Sequence, residues 1–418
     1  MRYKILVLAD FYTNSANTII DHATSFGSYS KHNCFYFNPV ACNKPKWLNM
    51  DYFDIIVIHY SVYILGDYYL NQSWRDAISF SNAINIQFIQ DEYRTIDDFH
   101  KRMNELNIKI LFTCVPEKEI EKVYPVQKLP GVIKVNNLTG YVPVYLSKEK
   151  PDFEKERTID IGYRAREIPW WLGEFGQEKK IIAEKMNGYL ENSDLNYNIS
   201  SKEVDRIYGK SWVKFLNSCR CSLGSESGAS VFDFTGEIEM KVKEYCAKNP
   251  EATFKKVQEL FFKDLENKIY LNQISPRAFE CIGCGSCLVL FEGEYSGILK
   301  SGVHFIELKK DFSNVDKVIE QIKDKEFVKN MAKKAYQDII VSGDYSYKKF
   351  VAFFDNIIDK HIANIKKDAC SKKKEKQFIS NKNIYYKQWI INLKRIHPHF
   401  IFHFIKLFLQ QFKMCFKK

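Results

Sequence analysis

A chain of 418 residues that is 45% hydrophobic and 15% aromatic is too long for one compact core and too apolar for disorder, so two folded domains of roughly 150–200 residues are expected. The net charge of +11 is unevenly placed: His361 to Lys418 carry fourteen Lys and Arg against Asp368 and Glu375, which leaves residues 1–360 at about −1. A nearly neutral body speaks against the usual nucleic-acid binder, whose basic surface belongs to the folded domain, so no nucleic-acid partner is expected.

The chain opens on "YKILVLAD", too short an apolar run for an export signal. It reads as a strand, followed by the polar loop "FYTNSAN" and a helical "TIIDHATSFGSY". "FDIIVIHYS", "INIQFIQDEY" and "IKILFTCV" are further apolar runs of five or six residues ending in polar ones. Such runs alternating with helical patterns predict a parallel sheet covered by helices on both faces. Asp10, His59, Asp91 and Glu92 all fall just past strand ends, where open α/β sheets bind ligands. They are the candidate bases of this first domain. The charged loop 136–158, with Gly140, Pro143 and Pro151, places the boundary so that residues 1–145 form one Rossmann-like domain and 146–360 a second.

The pattern restarts in the second domain. "RTIDIGYRARE" is a strand running into Arg164 and Arg166, with Gly162 inside it, and "GQEKKIIAEKMNGYL" is an amphipathic helix bearing Lys179. "CSLGSESGAS" carries a strand into a loop of small residues that includes Ser225 and Glu226. Residues 236–273 read as a helical insertion broken at Asn249-Pro250, and "HFIELKKDF" onward as a strand and two helices. The fold class is therefore α/β, two Rossmann-like domains facing a cleft.

The stretch "SPRAFECIGCGSCLVLF" places Cys281, Cys284 and Cys287 at the C-x2-C-x2-C spacing of an iron–sulfur loop. Position 291 is Phe, though, and the next cysteine is Cys370. Ser275 and Pro276 instead start a short helix over 276–282 that Gly283 or Gly285 ends, and Cys287 opens a buried strand. Three thiols on a helix, in a turn and on a strand read as buried packing groups, without a metal. The eleven cysteines, scattered along the chain, suit a reducing cytoplasm.

Arg277, Phe279 and Glu280, followed by Gly283, Gly285 and the strand Leu288–Phe291, resemble the R-x-F-E helix, small-residue turn and buried strand of two-domain (GT-B) glycosyltransferases. The likeness continues through "FEGEYSGILKSGVHFIELKKDF" and is nearest the group related to spore-maturation glycosyltransferases and bacterial polysaccharide enzymes. It covers 157–325 best. The resemblance implies a glycosyltransferase that moves a sugar from a nucleotide-diphosphate donor to a glycan or lipid-linked acceptor. It also implies donor-site roles for Arg164, Arg166, Lys179, Ser225, Arg277 and Glu280, with Glu280 on the ribose diol and the cations on the diphosphate. Gly162 is expected to let the backbone approach the phosphates. Where retaining members carry a first glutamate, this sequence has Asn272, so either Asn272 or Glu226 touches the transferred sugar. With Arg164, Arg166 and Lys179 facing the leaving phosphate, a divalent metal is unnecessary. A nucleotide-sugar-binding scaffold without transfer activity is the alternative.

The tail, 361–418, joins "KKDACSKKKEKQF" to an aromatic, apolar stretch punctuated by lysines. That mixture suits a peripheral anchor on an anionic membrane, at the inner face of which the enzyme would meet a lipid-linked acceptor.

Overall fold

The computed structural model describes residues 2–10, 17–147 and 150–362. The basic tail expected to bind membrane lies outside them. Two parallel sheets are each built from apolar runs of four to six residues. The first contains β1 (Lys4–Leu8), β2 (Asn33–Phe37), β3 (Ile55–Ile58), β4 (Ile84–Phe88), β5 (Ile108–Thr113) and β6 (Ile133–Asn136), in the order β2-β1-β3-β4-β5-β6. Helices α1 (Asn17–Tyr29), α2 (Gln72–Ser79), α3 (Ile96–Glu105) and α4 (Ile120–Val123) connect these strands.

The second sheet runs β13-β12-β9-β7-β8, from β7 (Ile159–Arg164), β8 (Tyr197–Ser200), β9 (Cys219–Gly224), β12 (Cys287–Phe291) and β13 (Phe305–Leu308). Its helices are α5 (Glu174–Leu190), α6 (Gly209–Ser218), α9 (Pro276–Gly283), α10 (Val315–Lys323) and α11 (Lys325–Ala335). The insertion forms α7 (Glu237–Lys248) and α8 (Phe254–Phe261), bordered by a hairpin of β10 (Ser227–Ala229) with β11 (Leu271–Gln273). Both sheets therefore share the doubly wound order 2-1-3-4-5, in which the connections leave in opposite directions between the first and third strands. Among the described residues no helix is long and apolar enough to cross a membrane.

The central strands are buried along their length, which is why they stand out in the sequence. β2, β6 and β8 do not, because each is an edge strand with only one or no buried residue. α9 begins at Pro276 after Ser275 and ends before Gly285, whose φ of +74° only glycine adopts without strain. The three cysteines separate as the local pattern requires. Cys281 donates to Ser222 Oγ at 3.4 Å, Cys284 follows the last turn of α9, and Cys287 lies on β12 opposite Cys221.

The domain boundaries differ from the expectation at one end. The second domain does not run to residue 360, because after Tyr345 the chain crosses back and α12 (Tyr347–Ile362) packs on the first sheet. Tyr347, Phe350, Phe354 and Ile358 share a core with Phe26, Val57, Phe88 and Phe112. Asp355 closes the contact by accepting from Ser30 Oγ at 2.7 Å and Lys31 N at 2.9 Å.

Gly162 has a different task from the one expected. It lies in mid-β7, and a Cβ there would sit 2.2 Å from Cys219 Sγ and 3.0 Å from the Phe215 ring. The missing side chain lets α6 close on the sheet. Gly162→Ala should lower stability in urea unfolding by about 1–3 kcal/mol, with part of the loss restored when Cys219→Ala is added.

Candidate active site

The reversal of connection between β7 and β9 opens a crevice at their carboxyl ends, the place where doubly wound sheets take ligands. A cavity of about 490 Å³ occupies it. Arg164 and Arg166 enter from the end of β7, Lys179 from α5, Trp212 from α6, and Ser275, Arg277 and Glu280 from the start of α9. Asn17 and Thr18 of α1 form the opposite wall, so the cavity lies between the two domains.

Positive charge collects there without local neutralisation. Among the described residues, none of Arg166, Lys179 and Arg277 forms an ion pair, and the nearby Glu178 is taken by Lys310 at 2.7 Å. Burial pushes the Lys179 ammonium down to about 8, and Arg277 and Arg166 push the same way. Its Nζ donates to Ser227 Oγ at 3.1 Å. Arg277 stacks over Trp212 at 5.3 Å and Tyr163 at 5.7 Å, held by ring faces and not by acids. Arg164 lines the cavity but is engaged: its guanidinium donates to Tyr163 O, Asn198 O and Asn198 Oδ1 at 2.7–2.9 Å and lies over the Phe215 ring.

Glu280 faces the same cavity from the second turn of α9. One oxygen accepts from Trp212 Nε1 at 2.8 Å. Burial raises its pKa, while the Trp212 hydrogen bond and Arg277 oppose the rise. Asp21 of α1 stands across the cleft, its carboxyl raised to about 7 by burial and then by the Glu280 charge. Neither Asp21 nor Trp212 carries a local pattern that singles it out.

Beyond β9 the small-residue loop is packed. Ser225 is buried, and Glu226, 4% exposed, accepts from Tyr295 N at 2.6 Å and Asn272 Nδ2 at 3.3 Å. The two sugar-contact candidates are thus direct neighbours, with Asn272 Oδ1 left without a partner.

The four candidate bases of the first domain divide sharply. Asp91, at a φ of +57°, is exposed and accepts from Tyr93 Oη at 2.9 Å. Its charge reaches Lys179 across the cleft and pulls that pKa upward. Glu92 points the other way into the core, accepting from Thr113 Oγ1, Cys114 N and Tyr124 Oη. His59 is fully buried, with Nε2 3.0 Å from His22 Nδ1 and Nδ1 accepting from Ser61 N at 3.1 Å. Burial holds both imidazoles neutral, His22 down to about 3. Asp10 is 3% exposed and accepts from Asn38 Nδ2 at 3.2 Å. Burial weighs against His59, Glu92 and Asp10 in the expected role of base, and Asp91 is the open one of the four.

No protein-family model and no curated protein sequence matches this chain. Solved structures do. An alpha-glucosyltransferase in complex with UDP and a 13-mer DNA containing an HMU base superposes with a TM-score of 0.51 at 10% identity, covering 86% of this chain and 100% of that one. T4 phage BGT in complex with its UDP-glucose substrate gives 0.51 at 12% identity over the same shares. The chain has the GT-B fold. The likeness at such low identity concerns architecture, and chemistry has to come from the side chains of the GT-B cleft described above.

Asp21 supplies a check on the cleft's electrostatics. Its folded pKa of about 7 lies above the unfolded value, so the folded chain keeps a proton that the unfolded chain releases. Stability therefore falls as pH rises between roughly 4 and 7. Asp21→Asn should flatten that slope and exceed the wild type in stability at pH 8 more than at pH 5, measured by urea unfolding.

Proposed function

We propose that the chain is a glycosyltransferase that takes its sugar from a nucleoside-diphosphate donor bound on the second domain. The observation that carries this is the cluster of Arg166, Lys179 and Arg277, cations without carboxylate partners converging on one cavity at the β7/β9 switch point. Burial first, and then Arg277 and Arg166, lower the Lys179 pKa, as expected of a site that an anion completes. Phosphates satisfy it, and Glu280 beside them accepts from the ribose hydroxyls in charge-assisted hydrogen bonds. Arg164, committed to Asn198, shapes the mouth.

In an inverting transfer, the acceptor hydroxyl attacks the anomeric carbon, the bond from that carbon to the phosphate oxygen breaks, and the hydroxyl proton moves to a base. Asp91 is the base on this reading, because it alone of the four candidates is open and opposes the phosphate-binding cations. Asp21 is unsuited, since it opposes Glu280 at the ribose end. Charge on the leaving diphosphate is met by Arg166, Lys179 and Arg277, which perform the electrostatic task without a metal.

The structural relatives are solved with UDP or UDP-glucose, so UDP-sugars are the first donors to test. For the acceptor we retain a glycan or lipid-linked saccharide, met at the inner membrane face through the basic tail and made for a surface polysaccharide. DNA is the second reading, favoured by the DNA bound in the glucosyltransferase complex.

Thermal stabilisation by a panel of nucleoside-diphosphate sugars should single out one donor, and Arg277→Ala with Lys179→Ala should abolish the shift. Absence of any shift in the wild type would sink the donor assignment. Asp91→Asn should lower kcat by about 10²–10⁴-fold while leaving donor affinity unchanged, read by radiolabelled transfer to lipid-linked saccharide or to duplex DNA. A protein that binds the donor but transfers to neither acceptor and does not hydrolyse it would be a scaffold.

A further inference from the structure

α6 presents Trp212 to the donor cavity, and the buried Phe215 lies one turn further along the same helix. The rings stack on each other at 5.8 Å and 23°, as residues three apart on a helix face can. A cation caps each outer face: Arg277 lies over Trp212 at 5.3 Å, and Arg164 lies over Phe215 at 4.6 Å. The indole edge is also used, since Trp212 Nε1 donates to Glu280 Oε2 at 2.8 Å. One half-buried side chain thus touches both the arginine and the glutamate that face the cavity from α9.

We propose that Trp212 is a positioning residue for the donor, fixing the rotamer of Glu280 through its N–H and the plane of Arg277 through its ring. This rests on the donor reading of the site and names the group that organises it. The physical need is clear. Arg277 and Glu280 sit one turn apart on α9, close enough for the glutamate's charge to be influenced by the arginine. Left to themselves, they can collapse into an i,i+3 ion pair that neutralises both. Among the described residues they form no such pair. The indole gives each a separate local partner, an N–H donor for the carboxylate and a π face for the guanidinium. Glu280 Oε1 and the second lone pair of Oε2 stay free for a diol, and the guanidinium edge stays free for phosphate.

The test is a double-mutant cycle with Trp212→Phe and Glu280→Gln. Binding is titrated calorimetrically with UDP, GDP, CDP and ADP, and the nucleotide that the wild type holds most tightly is carried forward. Trp212→Phe keeps a ring under Arg277 and removes the N–H, so Kd should rise by about tenfold. In the Glu280→Gln background the same change should cost less than about twofold, because the partner through which it acts is already altered. Tryptophan emission gives an independent reading. The wild type should change on adding nucleotide, while Trp212→Phe loses that change and Glu280→Gln, with Trp212 intact, diminishes it. Equal binding by Trp212→Phe and wild type, or a loss that simply adds to that of Glu280→Gln, overturns the positioning role while leaving the donor site standing. A wild type that binds none of the four nucleotides overturns both.

Discussion

The structure turns on an electrostatic debt at the junction of β7, β9 and α9. Arg166, Lys179 and Arg277 are brought to one cavity, and among the described residues none of them forms an ion pair, Asp91 and Glu178 acting on Lys179 only through longer-range charge. Burial makes the concentration costly, as the lowered Lys179 pKa records. Proteins seldom leave half-buried charge such as that of Lys179 and Arg277 unpaired, and the phosphates of the proposed donor would supply the partner. The surroundings are organised around that condition. Glu178, the nearest acid on α5, is drawn off by Lys310, and ring faces support Arg277 in place of an acid.

The first domain serves as the complementary wall. Glu92 is satisfied there by a hydroxyl, a phenol and a backbone N–H, and His59 by His22 and Ser61. These networks pin the strand ends of β3, β4 and β5, and among the described residues the Asp91 turn and the α1 face border the cleft. α12 ties the arrangement together by carrying the end of the described chain back under the first sheet. The two domains are thus linked twice, by the segment after β6 and by the return to α12, which limits how the cleft opens.

Much of this was legible in the sequence where the signal was local. Buried central strands announce themselves as apolar runs, and Ser275-Pro276 with Gly285 fixes the bounds of α9, which places Arg277 and Glu280 correctly. The C-x2-C-x2-C spacing resolves for the same reason, since helix, turn and strand assign each thiol its own surroundings. What stayed hidden depends on which surface approaches which. Asp21 reads as one acid on an amphipathic helix until α9 is set against it. Trp212 reads as an ordinary half-buried aromatic. Glu92 and Asp91 are adjacent in sequence, and only the left-handed turn at Asp91 sends one to the cleft and the other to the core. The apolar stripe of α12 has the same pattern whichever sheet it covers, so its return to the first domain could not be read from periodicity. Gly162, beside two arginines at a strand end, looked like a phosphate contact and proved to be a packing contact with Cys219.

The most direct measurement of the central claim is a crystal structure of the protein with a bound nucleoside diphosphate. The account predicts the two phosphates against Lys179 and Arg277 at the carboxyl ends of β7 and β9, with both ribose hydroxyls on Glu280. A nucleotide seated instead in the β1/β3 crevice of the first domain, or one that leaves the three cations untouched, would contradict it.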